Sequence, residues 1–262
     1  MSRSVVSELW RYPVKSFQGE RVEQLELLPH RIVGDRQFAL VDLASGLLMS
    51  AKRRAELLSA WARTAGDTVL VTLPDRSEHD VSAPETAAAL SSWLGVDVGV
   101  VEVGQQEGVA YDMTLDPPND DADVYEIPTP ASTFLDLAAV HLLTTASLAS
   151  MTAARPDLVW DVRRFRPNIV VDHAGPGFPE DNWVGQQVAV GDARIEGMMR
   201  TMRCAMPLRA QPADPAVGSP RLERSVDTYR AMDVVHANDL GLYAAISGVG
   251  TIRVGDPVEP VI

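Results

Sequence analysis

The chain has 262 residues, 46% of them hydrophobic, a single cysteine and a formal net charge of −13. That charge argues against nonspecific nucleic-acid binding, which relies on a basic surface. One cysteine excludes an intrachain disulfide, a multi-cysteine zinc site and a cysteine-held iron–sulfur cluster.

At about 100–200 residues per domain, the length predicts two domains. Residues 3–12 and 20–28 read as strands, with Val5, Leu9, Val22, Leu25 and Leu27 set among polar neighbours. Gln37 to Leu43 reads as a third, closed by a turn at Ser45-Gly46. Ala51 to Thr64 is expected to be helical. Thr68 to Leu73 and Val96 to Val103 are valine-rich strands. Between them Pro84 to Leu94 predicts a helix, with proline in its first turn and Gly95 after its end. From Gln105 to Thr133 the chain holds seven acidic residues, four prolines and no lysine or arginine. That composition predicts a mobile or loosely packed connection. The domain boundary is placed there, giving 1–125 and 126–262; an ordered loop within one continuous domain is the other reading.

Val140 to Leu143 is a short strand, and Thr144-Thr145 then caps a helix through Ala154, ended by Pro156. Asn168 to Val171 is a strand. Gln187 to Val190 and Arg194 to Met202 form a pair joined near Gly191-Asp192. A helix is expected over Leu222 to Tyr229. Leu242 to Ser247, Thr251 to Val254 and Val258 to Ile262 are closing strands. Many short strands with few helices predict a barrel or sandwich, a β-rich α/β fold. The N-terminus lacks a long apolar region, and no run of about 18 apolar residues occurs. A cytoplasmic protein without a membrane partner is therefore expected.

The stretch with the most chemistry runs from Arg163 to Cys204. It opens with Arg163-Arg164-Phe165-Arg166-Pro167-Asn168, passes Glu180-Asp181-Asn182-Trp183 and ends at Arg203-Cys204. Arginine's planar fork suits bidentate capture of phosphate or carboxylate. A lone thiol beside cationic side chains is expected to have a depressed pKa, and the thiolate binds soft metals. Together these point to an anionic, metal-bearing cofactor. Each residue also has a plainer role. Lys15 would be a solvated lysine, Arg36 an ion-pair partner of Asp35 or Asp42, Arg166 a structural arginine on nearby carbonyls, and Cys204 a small buried hydrophobe. Glu180 and Asp181 fit a structural turn better than paired acid–base carboxylates. No H-E-x-x-H, G-x-S-x-G, phosphate-binding loop or G-x-G-x-x-G occurs.

The ordered set RFRPNIVV at 164–171, E-D-x-W at 180–183 and R-C at 203–204 resembles the molybdenum cofactor sulfurase C-terminal (MOSC) domain. Tyr12-Pro13-Val14-Lys15-Ser16 with Gly34-Asp35-Arg36 resembles the β-barrel domain that precedes MOSC in amidoxime-reducing proteins. The resemblance implies an N-terminal β-barrel-like domain, then a MOSC β-barrel with a few helices. It implies a molybdenum cofactor (molybdopterin) with Cys204 as metal ligand and catalytic residue, and no pyridoxal phosphate. Lys15, Ser16, Arg36, Arg166 and Asn168 would contact that cofactor, between the two domains. Thr144 and Thr145 match a family position at the cofactor phosphate, although hydroxyls before a helix also serve as caps. The implied activity is reduction of small N-hydroxylated compounds by oxygen-atom transfer. A separate reductase or ferredoxin-type protein would supply electrons, since no flavin or nicotinamide fingerprint is present. A non-catalytic cofactor carrier and a persulfide sulfur carrier are the alternatives. The chain departs from the family at Phe17, where many relatives have cysteine. It departs again at Ala205-Met206-Pro207-Leu208, where many have Thr-Thr-Val-Asp.

Overall fold

Strands that alternate apolar and polar residues bury one face and wet the other, and a sheet of them removes its edges by closing. The computed structural model describes residues 4–105, 109–130, 133–214 and 218–261, and it shows such a closure. Strand Ser4–Arg11 pairs antiparallel with Ile169–Asp172, which runs parallel to Val140–Thr144. The ring continues through Asp239–Gly248, Ala193–Met202, Gln187–Val190 and Pro257–Pro260, and returns to Ser4–Arg11. These seven strands form the closed barrel. Its interior is filled by alternate residues, among them Val140 and Leu142, Ile169 and Val171, Val188 and Val190. Helix α2, Thr145–Ala154, provides the crossover between the two parallel strands.

The remaining described residues build a second β-rich region. Phe38–Asp42 pairs with Val98–Glu102, and Trp61–Ala65, Thr68–Thr72 and Glu78–Asp80 make a small sheet. Helix α1, Pro84–Leu94, starts on its proline and stops at Gly95 in the left-handed conformation, as expected. Phe17, Leu40, Leu57, Val71 and Leu90 share a core there. The β-rich architecture with a few helices is the one expected. The first strand, however, is N-terminal in sequence and yet closes the barrel built from C-terminal residues. Gly250–Arg253 likewise returns to pair with Gln24–Leu28.

Three expectations are corrected. Residues 51–64 are not a helix: Ala55–Ser59 is one 3-10 turn, and Trp61–Ala65 is a strand. The two-residue Gly66-Asp67 turn, with Gly66 at φ +63°, pairs it with Thr68–Thr72, and that pairing overrides the helix propensity of the alanines. The helix expected over Leu222–Tyr229 is α3, Val226–His236. Leu222 bonds to Gln211, and Ser225 starts the helix by accepting from the Thr228 N–H. The acidic segment is not a loose connection throughout. It carries a hairpin, Ala110–Thr114 with Val124–Pro128, whose Tyr111 is buried against Ala39, Val41 and Phe134. Arg3 and Ile262, the outer ends of two expected strands, lie outside the described residues.

Candidate functional site

The first barrel strand delivers Tyr12 and then Pro13 to a sharp turn. The Lys15 N–H donates to the Phe38 carbonyl and the Phe38 N–H to Pro13, so the loop is pinned to the second region. Ser16 Oγ accepts from the Ala51 N–H at 2.9 Å. The Arg36 N–H donates to the Tyr12 carbonyl at 2.7 Å, which brings a second loop alongside. From the other side come Arg166, after the 3-10 turn Val162–Arg164, and Cys204, after strand Ala193–Met202. Lys15, Ser16, Arg36, Arg166, Asn168 and Cys204 thereby line one cleft that opens to solvent.

Three of these residues hold backbone conformations that side chains other than glycine rarely adopt. Ser16 has φ +70°, Arg36 +46° and Arg166 +56°. Left-handed backbone at a non-glycine residue costs of order 1–3 kcal/mol and persists where the surroundings impose it, commonly at functional sites. Here the strain aims two guanidinium-bearing residues and a hydroxyl into the same space.

The cleft is cationic in an acidic protein. Lys15 and Lys52 both hold Asp136, at 2.5 and 2.9 Å, and both ammoniums lie over the Tyr111 ring. Burial alone would raise the Asp136 carboxyl, but the two lysines outweigh it and hold Asp136 well below the usual carboxylate range. The lysines themselves diverge. Burial lowers Lys15, and Lys52 and Arg36 add to that, with only Asp136 opposing. Burial would also lower Lys52, but Asp136, Cys204 and Tyr111 together push it up. Burial, with neighbouring Arg36, brings Arg166 down to about 10, and it remains charged at neutral pH. His141 is pushed well below its ordinary value by burial and then by Arg203, so it is neutral there.

The plainer roles are partly realised as well. Arg36 is ion-paired with Asp35, and Arg166 Nη1 donates to the Phe17 carbonyl at 2.8 Å. The Asn168 side chain is spent on backbone: it accepts from the His141 N–H at 3.3 Å and donates to the Trp10 carbonyl at 3.3 Å. Thr144 and Thr145 are not brought to the cleft. Thr144 is fully buried as the cap of α2, accepting from the Ser147 N–H and donating to Glu180 at 2.6 Å. Thr145 bonds to Asp172. Glu180 is buried and Asp181 bonds to His236, so this acidic pair is structural, as expected. Of the arginines near Cys204, Arg203 lines the cleft, Arg209 pairs with Asp120 and Arg200 with Asp239.

Sequence reasoning did not assign Lys52, Asp136 or His141 to this site, and it named Arg203 and Tyr12 only within the motifs that hold Cys204 and Lys15. A signal existed for Lys52. It and Lys15 are the only lysines in a chain whose other cations are arginines, and both meet at Asp136. Asp136 sits in a stretch with no motif, and nothing local distinguishes it.

Comparison with known proteins gives the same order of parts. The MOSC N-terminal beta barrel domain family matches residues 3–103 and the MOSC domain family matches residues 130–259. Mitochondrial amidoxime reducing component 2 of Bos taurus is 25% identical, over 98% of this chain and 83% of its own length. Mitochondrial amidoxime-reducing component 1 of Homo sapiens is 24% identical, over 97% of this chain and 82% of its own. Among solved structures, the YUAD protein of Bacillus subtilis aligns over 99% of this chain and 98% of its own, with 12% identity and a TM-score of 0.47. The two family matches lie in tandem and cover most of the chain, which therefore belongs to the MOSC family in the form that carries a MOSC N-terminal beta barrel domain ahead of the MOSC domain.

Proposed function

We propose that the cleft binds a molybdenum cofactor of the molybdopterin type, with Cys204 as the protein ligand of the metal, and that the protein reduces small N-hydroxylated compounds such as amidoximes. One observation carries the reading. In a chain of net charge −13, Lys15, Arg36, Arg166 and Arg203 converge on one cleft with the only thiol. The similarity to amidoxime-reducing components, over 98% and 97% of this chain, supports that substrate class.

The residues present fit such a group. Arg203 is buried, and its Nε has no hydrogen-bond partner among the described residues, a donor that fits an acceptor of the cofactor. Cys204 is partly exposed and offers a soft donor.

When bound, the cofactor supplies two-electron oxygen-atom transfer, and the protein supplies its placement and surroundings. Arg36, Arg166 and Arg203 bind the anionic parts. Ser16 is fixed by its bond from Ala51 and sets the position of the loop. Reducing an N–OH group to N–H consumes two electrons and two protons and releases water. The Lys15 ammonium, lowered by burial and by its cationic neighbours, lines the cleft as a proton donor, and Asp136 holds its Nζ in place. Electrons come from a separate protein, since no cluster-binding cysteine set or nucleotide fingerprint is present.

The test is expression in a host that makes the cofactor, followed by molybdenum analysis and an assay of benzamidoxime reduction. Stoichiometric molybdenum, turnover with reduced methyl viologen and none with NADPH alone are expected. Metal-loaded protein that reduces no N-hydroxylated compound would point to a carrier. A persulfide on Cys204 without molybdenum would point to sulfur transfer.

A further inference from the structure

Tyr12 lies 2% exposed beneath the cleft, and two guanidinium groups share its ring. The Arg166 Cζ is 4.1 Å from the ring centroid and the Arg36 Cζ is 4.4 Å. Each arginine would otherwise be held by few contacts: Arg36 by Asp35, Arg166 by the Phe17 carbonyl. Arg166 is buried and Arg36 half-buried; two like charges this close oppose each other, and the opposition grows as water is removed. The face of an aromatic ring carries negative potential and offsets part of that cost.

The ring is itself immobilised on every side. The Tyr12 N–H donates to Asp35 Oδ1 at 2.8 Å, and its carbonyl accepts from the Arg36 N–H. Its hydroxyl donates to the Pro167 carbonyl at 3.1 Å, one residue beyond Arg166. Trp10 stacks nearby at an interplanar angle of 13°. Burial pushes the phenol far above its ordinary value, so the hydroxyl is a fixed donor and not an acid. One residue of the first barrel strand's end thus touches both arginine-bearing loops, through backbone on one side and hydroxyl on the other. Both loops answer with left-handed backbone at the arginine itself.

We propose that Tyr12 is a positioning residue whose aromatic face holds Arg36 and Arg166 together as a two-armed clamp for one phosphate-type oxyanion. The inference deepens the cofactor reading, because the clamp would receive an anionic group of that cofactor. It concerns the ring and not the arginines alone. It predicts that oxyanion affinity follows the electrostatic character of the ring at constant shape.

Phosphate binding to the metal-free full-length chain reads this directly, by calorimetry at low ionic strength. Tyr12→Phe keeps the ring face and should bind within about twofold of the unaltered chain. Replacing Tyr12 by phenylalanines of increasing fluorine content keeps the size, so folding is preserved, while the ring face loses its negative potential. Affinity should fall stepwise, by about tenfold at full fluorination, and the melting temperature should fall alongside it below that of Tyr12→Phe, as the ring ceases to offset the repulsion, with the chain still folded at the temperature of the binding measurement. Affinity that stays flat across the fluorine series would overturn the clamp, as would a loss in Tyr12→Phe equal to the fully fluorinated loss, which would assign the role to the hydroxyl. If the unaltered chain binds no phosphate, the clamp fails on its own, and molybdenum content of the cofactor-loaded protein still decides the cofactor reading separately.

Discussion

Cys204 faces the cleft with Lys52 close enough to be influenced by it, and the hydrophobic cluster of the second region packs behind it. A serine oxygen is nearly the same size as the thiol and a harder donor. Cys204→Ser should leave the melting temperature almost unchanged, lower bound molybdenum and abolish benzamidoxime reduction. Metal content and activity retained beside a small loss of stability would reduce Cys204 to a core residue. His141 makes a second prediction at this scale. Its folded pKa is depressed by burial and by Arg203, so the unfolded chain takes up the proton first as pH falls. The stability tied to neutral His141 is therefore present above its unfolded value of 6.5 and is lost progressively on acidification below it. Melting temperatures measured from pH 7.5 down to 5.5 should fall, and His141→Gln should flatten that fall. An unchanged slope in the variant would remove His141 from the acid response.

Helix α2 shows a residue marked by a family likeness held in local structural contacts. Thr144 ends strand Val140–Thr144, caps α2 and bonds to Glu180, and Ser147 completes the set at 2.7 Å from Glu180. A buried carboxylate survives only with such partners. Thr144→Ala removes both the cap and one of the partners of Glu180, and should cost about 2 kcal/mol. Denaturant unfolding should show that loss, while cofactor content in the cold stays at the unaltered level. A selective loss of cofactor with unchanged stability would instead return Thr144 to the cofactor site.

For the molecule as a whole, the sheet order matters more than the chain order. Strand Ser4–Arg11 lies between Ile169–Asp172 and Pro257–Pro260. A fragment 126–262 lacks that strand and would expose two unpaired edges and the barrel interior, which includes Ile169 and Val258. It should fail to give a cooperative melt and should aggregate, and adding the missing strand by circular permutation should restore folding. A cooperative melt of the fragment alone would show that the barrel closes without its first strand. The same topology explains the cleft. Tyr12, Lys15 and Ser16 extend directly from a barrel strand, while Lys52 and Asp136 come from outside the barrel, so the cationic lining exists only when the whole chain is folded. No helix among the described residues is long and apolar enough to cross a membrane.

The sequence by itself determined the β-rich class, the strands with strong alternation, α1 with its proline start and glycine stop, and six of the residues that line the cleft: Lys15, Ser16, Arg36, Arg166, Asn168 and Cys204. Those features are local: periodicity, capping residues and short ordered motifs are written in neighbouring positions. Tertiary structure alone decided which strand closes the barrel, that residues 61–65 pair instead of coiling, and that Thr144 serves a helix and a buried acid. It also decided the electrostatic partners of the site. Lys15 meets Asp136 across 121 residues and Arg166 meets the Phe17 carbonyl across 149. Such pairings are set by how the sheet closes and by what burial leaves unpaired, and no local pattern encodes either.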